Sequence, residues 1–148
     1  MDDKGQILLY RTANGTSRIE VRLQNETVWL TLDQMAELFQ RNKSTISRHI
    51  KNILETAELQ ADSTVAFFAT VQAEGNRRVE RTMAFYNLDM IISVGYRVNS
   101  LRGVQFRQWA TSVLREYLIK GFALNDDLLK NAGNGNRRKP SAGSAEII

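Results

Sequence analysis

The segment "RNKSTISRHIKNIL", residues 41–54, gathers the side chains best suited to chemistry with an anion. Arg41, Lys43, Arg48 and Lys51 supply cations, Ser44, Thr45 and Ser47 supply hydroxyls, and no acid interrupts them. Ile46, Ile50 and Ile53 recur at helical spacing, so a helix here buries one face and leaves the opposite face polar and basic. That face suits the edges and phosphates of nucleic acid. Arginine grips guanine through two hydrogen bonds, lysine meets a phosphate as a point charge, and serine or threonine contacts either.

Basic residues cluster again further on. Arg77, Arg78 and Arg81 follow "EGN", and Arg97, Arg102, Arg107 and Arg115 lie in a stretch without acids. The net charge is only +4, so two acid-free basic segments in a nearly balanced chain imply one positive face, fit for a polyanion. Other chemistry finds little support. With no cysteine and His49 as the lone histidine, disulfides, thiolates and a zinc site are not expected. No glycine-flanked serine marks a nucleophile and no carboxylate cluster marks a metal nuclease, so neither an enzyme nor a cofactor is expected, and no small-molecule ligand is evident. The polar start "MDDKGQ" and the lack of any apolar run of about 18 residues argue against a signal peptide or membrane span and for a cytoplasmic protein.

The elements that must position these residues read as α+β: a small antiparallel sheet, a winged helix-turn-helix-like helix pair, a β-hairpin and a long C-terminal helix. "ILLYR", "RIEVRL" and "TVWL" are strands, joined by turns at Asn14-Gly15 and Asn25-Glu26. Thr31 and Gln34 form a capping box for a helix carrying Leu32, Met35, Ala36 and Phe39 on one face, and Asn42 or Ser44 caps the next. "VAFFATVQ" and "RVERTMAFY" form a hairpin. Asn87 opens a short helix expected to end at Gly95, and a long helix from about Gly103 to Lys120 carries an apolar stripe from Phe106 to Leu118, with Gly121 as its cap. Residues 1–130 are expected as one DNA-binding domain and 131–148, rich in Gly, Asn and Ser with Arg137, Arg138 and Lys139, as a disordered basic tail.

Ala36 in the first helix, Ile46 ten residues later and Ile50 beyond it fit the spacing of a helix-turn-helix, with residues 42–54 as recognition helix. Lys43, Ser44, Thr45, Ser47, Arg48 and Lys51 then face a DNA major groove. The turn position usually held by glycine is Gln40, so either Gln40 adopts the left-handed conformation, at roughly 1 kcal/mol, or Asn42 does and the turn shifts. The hairpin with Arg77, Arg78 and Arg81 at and behind its tip stands where a wing would, and Arg97, Arg102 and Arg107 flank a helix start, where backbone N–H groups favour an anion. Each basic group also has a plainer reading, as a solvated face or, for Arg97, Arg102 and Arg107, as a structural cluster pairing with Asp89 or Glu116. Trp109 reads as core, and Trp29 should pack on the helix pair.

Four segments in order, "LTLDQMAELFQRNKSTISRHIKNI", "FATVQAEGNRRVER", "YNLDMIISVGYRVNSLRG" and "FRQWATSVLREYLIKGF", resemble the N-terminal region of the RhuM family, bacterial proteins labelled as virulence proteins or as DNA-binding proteins near type I restriction-modification loci. The resemblance spans roughly residues 7–129. The layout is also distantly similar to the N-terminal domains of Bro-type phage antirepressors, which implies DNA binding by analogy. RhuM-like proteins continue with a further helical region where this sequence has "NRRKPSAGSAEII", so a truncated form is expected.

The expectation is therefore a double-stranded DNA-binding regulator of transcription or of a mobile element, working as a homodimer or with a second module if it binds tightly. The rival is a protein-interaction module presenting the same basic face to an acidic restriction, toxin or phage-related partner.

Overall fold

The computed structural model describes residues 5–12, 15 and 17–131, with side chains as far as Lys120. The fold is α+β, as expected. The chain divides into two compact units, Met1–Arg107 and Gln108–Ile148.

The first unit is built on a five-stranded antiparallel sheet of β1 (Gln6–Arg11), β2 (Arg18–Gln24), β3 (Thr27–Leu30), β4 (Val65–Glu74) and β5 (Arg77–Asn87), in the order β1-β2-β3-β5-β4. The β2–β3 turn places Asn25 at φ 54° and Glu26 at φ 64°, the paired positive angles of a two-residue hairpin whose twist matches its strands. Of the other expected turn pair, Gly15 has φ 74°, and Asn14 lies outside the described residues. β3 meets β5 through Trp29↔Asn87 and Leu30↔Tyr86, whereas β4 stays with β5 from Val65↔Tyr86 to Glu74↔Arg77. Most of the β4–β5 hairpin is thus a two-stranded ribbon extending past the pairing with β3.

Five helices complete the described chain: α1 (Leu32–Phe39), α2 (Lys43–Glu55), α3 (Ala61–Thr64), α4 (Leu88–Arg97) and α5 (Leu101–Asn131). The single turn α3 carries no sequence pattern that announces it. Period-two burial of Ile19, Val21 and Leu23 on β2 meets the helical stripes Met35, Leu38 and Phe39 of α1, Ile46, Ile50 and Ile53 of α2, and Met90, Ile91 and Val94 of α4 in one core. Each such side chain contributes roughly 1.5–3 kcal/mol on leaving water. Trp29, expected against the helix pair, meets Phe68 of β4 edge to face at 5.4 Å and donates its indole N–H to the Gln24 carbonyl at 2.8 Å.

Two glycines play roles other than the expected ones. α4 runs past Gly95 to Arg97, because Gly95 is the point where α4 touches α5: a Cβ there would stand 3.4 Å from the Gly103 Cα and 3.1 Å from Cε1 of Phe39. Gly121 does not end α5, which continues to Asn131; one glycine costs a helix only about 1 kcal/mol. The expected tail, 132–148, lies outside the described residues. Within the second unit, Val113, Leu114 and Leu118 are half-buried, and Tyr117 and Ile119 are exposed. Among the described residues no helix is long and apolar enough to cross a membrane.

Candidate nucleic-acid interface

α1 is closed at both ends by its own surroundings. Thr31 Oγ1 accepts from the Gln34 N–H, and the Gln34 side chain accepts from the Thr31 N–H at 2.8 Å, a complete capping box with Asp33 in the first turn. At the other end Gln40 takes the left-handed conformation (φ 55°, ψ 50°), which settles the turn where the glycine-less sequence left it open; Asn42 is extended, at φ −65°.

The supports around that strained residue come from the turn's own N–H groups, from the adjacent Arg41 and from the distant Arg102. The Gln40 and Arg41 N–H groups donate to Ala36 and Glu37 carbonyls, Arg41 Nη1 donates to the Phe39 and Gln40 carbonyls, and Arg102 Nε donates to the Leu38 carbonyl. Arg41 Nη2 reaches the Val98 carbonyl at 3.1 Å, pinning the turn to the α4–α5 junction. The last carbonyls of α1, which a helix leaves orphaned, are therefore each held by a donor, and two guanidinium charges sit at the negative end of its dipole.

α2 is arranged differently. Asn42 occupies its N-cap position without a side-chain cap, and the first turn holds Lys43 and no acid. Ile46, Ile50 and Ile53 are buried, while Ser44, Ser47, Arg48 and Lys51 form one exposed stripe on the opposite side. Lys43 lies beside that stripe and pairs with Asp33 of α1 at 3.0 Å; both side chains are more than 60% exposed (62% and 63%), so the pair is worth at most about 1 kcal/mol and is exchangeable. Thr45 is half-buried. His49 is half-buried too, and burial, with Arg97 and Arg48 nearby, lowers its pKa and favours the neutral ring. Asn52, which the sequence reading passed over, is exposed one turn beyond Arg48.

The remaining expected residues fall into three settings. Arg77 and Arg78 are exposed at the ribbon tip, on opposite faces of it, as consecutive strand residues must be. Arg81 is engaged by Glu74 across the ribbon through two contacts of 2.6 and 2.9 Å, which hold the Glu74 carboxyl below its ordinary range. Arg97 pairs with Glu58 at 2.7 Å, joining the end of α4 to the segment after α2, and Arg102 is turned inward to the Leu38 carbonyl and the Ser17 hydroxyl. These partners are Glu58, a carbonyl and the Ser17 hydroxyl, where the plainer of the two sequence readings named Asp89 or Glu116. No group of His, Cys, Asp and Glu suited to a metal ion is found among the described residues.

Comparison with curated proteins and with solved structures returns no match. The family model described as the virulence protein RhuM family matches residues 63–139, which takes in β4, β5, α4 and α5 and begins after the α1–α2 pair. That match covers more than half of the sequence, and with the ribbon and the α4–α5 crossing inside it, the chain belongs to the virulence protein RhuM family.

Proposed function

We propose that the protein is a double-stranded DNA-binding regulator, of transcription or of a mobile element, in which α1 and α2 act as a helix-turn-helix and α2 enters the major groove. The observation that carries this reading is the build of α2. Its exposed stripe of Ser44, Ser47, Arg48 and Lys51 opposes a fully buried isoleucine seam, and its start has neither cap nor acid. A helix start of that kind favours an anion such as a DNA phosphate, and the stripe places donors where base edges lie. Arg77 and Arg78 at the ribbon tip act as a wing against phosphates, while Arg97 and Arg102 hold the scaffold rather than the ligand. The protein works in the cytoplasm, and as a homodimer on two half-sites one helical turn apart.

The test is fluorescence anisotropy of a labelled random-sequence duplex, with wild type and a Ser47→Ala/Arg48→Ala/Lys51→Ala variant, across a salt series. For four or five phosphate contacts the wild-type log affinity should fall against log salt with a slope of about −4, and the variant should bind at least ~10-fold more weakly with a shallower slope. All three side chains are exposed, so the variant should keep its unfolding midpoint. Equal binding by the two proteins, or none by either, removes α2 as the DNA-reading surface.

A further inference from the structure

Large apolar side chains stand in solvent at the α4–α5 junction of the first unit: Tyr96 is 88% exposed, Leu101 69% and Val104 41%. Tyr96 and Val104 border a groove of about 450 Å³ that Ile92, Gly95, Gly103 and Arg107 also line. Ile92 and Tyr96, one turn apart on α4, and Val104 on α5 give the cleft its apolar edges, and Leu101 stands in solvent one turn before Val104. The cleft runs down to helix backbone because Gly95 and Gly103, where the two helices come into close contact, leave its floor without side chains.

Among the described residues, the one charged side chain in the groove's lining is that of Arg107. Arg107 is exposed on the rim and joins no ion pair among the described residues. The partners of Arg102 are a carbonyl and a hydroxyl, while Arg97 is paired with Glu58. No acid occurs in the sequence from Met90 to Arg115. A second copy of the chain, groove against groove, would bring Arg107 against itself with no carboxylate among the described residues of either lining to answer it. Duplex nucleic acid would answer the charge but would leave Tyr96, Leu101 and Val104 facing a sugar-phosphate surface. A helix with apolar residues at i, i+4 and i+7, flanked by carboxylates, matches both features.

We propose that the α4–α5 groove is a docking site for an acidic amphipathic helix of a protein partner, with Tyr96, Leu101 and Val104 as the apolar contacts and Arg107 as the charge contact. The site is separate from α2 and does not depend on DNA binding.

The full chain is panned against a phage-displayed library of random 16-residue peptides, with counter-selection on a Tyr96→Glu/Leu101→Glu variant. The recovered peptides are then titrated by anisotropy against wild type, that variant, the milder Tyr96→Ala/Leu101→Ala pair, and Arg107→Glu. The expected result is peptides rich in Asp and Glu with apolar residues at helical spacing. Both double variants should bind them at least ~10-fold more weakly, and Arg107→Glu about three- to tenfold more weakly. The substituted side chains lie in solvent, so thermal unfolding of the variants should match wild type. Recovery of no peptide, or of peptides without acidic bias, overturns the proposal. So does a concentration-dependent wild-type dimer in sedimentation that Tyr96→Glu abolishes, which would assign the groove to a second copy.

Discussion

α1 and α2 pack on each other and each buries an apolar stripe, yet they treat their exposed backbone ends in opposite ways. α1 begins with a reciprocal Thr31–Gln34 cap and Asp33, and ends with its carbonyls held by Arg41 and Arg102. α2 ends on Thr56, whose hydroxyl donates to the Asn52 carbonyl at 2.9 Å, but begins with an uncapped turn and a lysine at the positive end of the dipole. Under the proposed function, the difference separates support from contact. A helix that only positions its neighbour gains from satisfying every orphan group internally, whereas a helix whose N-terminus meets an anion leaves those donors open to it.

The sharpest way to break the pairing that underlies this contrast is Ile46→Ala. Ile46 is fully buried on the seam of α2, and its truncation should cost about 2–5 kcal/mol, read as a fall in the urea midpoint at unchanged slope. A loss near zero would mean that α2 is not seated on the core through its isoleucines. Next in size is a matched pair of cap deletions. Thr31→Ala should cost about 1 kcal/mol, because a real cap is lost, and Asn42→Ala less than about 0.5 kcal/mol, because none is. Equal costs would erase the contrast between the two helix starts.

Asn42→Asp sharpens the comparison by giving α2 the kind of start that α1 has. It should raise stability by about 0.5 kcal/mol and weaken duplex binding by at least ~3-fold, since the new carboxylate occupies the place of a phosphate. Parallel unfolding and anisotropy measurements check both signs, and a gain in both would count against an anion at that end. The smallest effect concerns His49. Its pKa in the folded protein is below the ordinary 6.5, so the folded state binds this proton less readily than the unfolded chain. Its contribution to stability is complete above pH 6.5 and is lost as the pH falls through the lower folded value. Comparing wild type with His49→Gln between pH 7.5 and pH 5 should show a shallower decline in the variant; identical curves would mean that the ring is not desolvated.

What was legible in the sequence is what depends on near neighbours. The Thr31–Gln34 box joins residues three apart, the Ile46, Ile50 and Ile53 seam repeats within one helix, and the Asn25-Glu26 hairpin is a property of two adjacent residues. The basic stripe on α2 follows from the same periodicity. The arginines after position 90 were the opposite case. As types they are alike, but Arg102 reaches the Leu38 carbonyl across 64 residues, and Arg97 reaches Glu58 across 39. No local pattern distinguishes a guanidinium held by backbone from one in solvent, because the distinction lies in which distant atoms the fold brings within hydrogen-bond range. Gly95 was misplaced for the same reason: glycine reads locally as a helix end, and only the crossing with Gly103, with Phe39 against both, shows why it sits inside a helix.

The sequence by itself determined the kinds of element, the faces they bury, and the concentration of cations and hydroxyls on α2, because side-chain periodicity and capping act over one or two turns. Only the tertiary structure decided which of the basic residues are free to meet a ligand and which are bound into the scaffold, and that Gln40 could stand where glycine is usual. Those outcomes rest on donors and acceptors supplied from far along the chain, and their positions exist only once the core has closed.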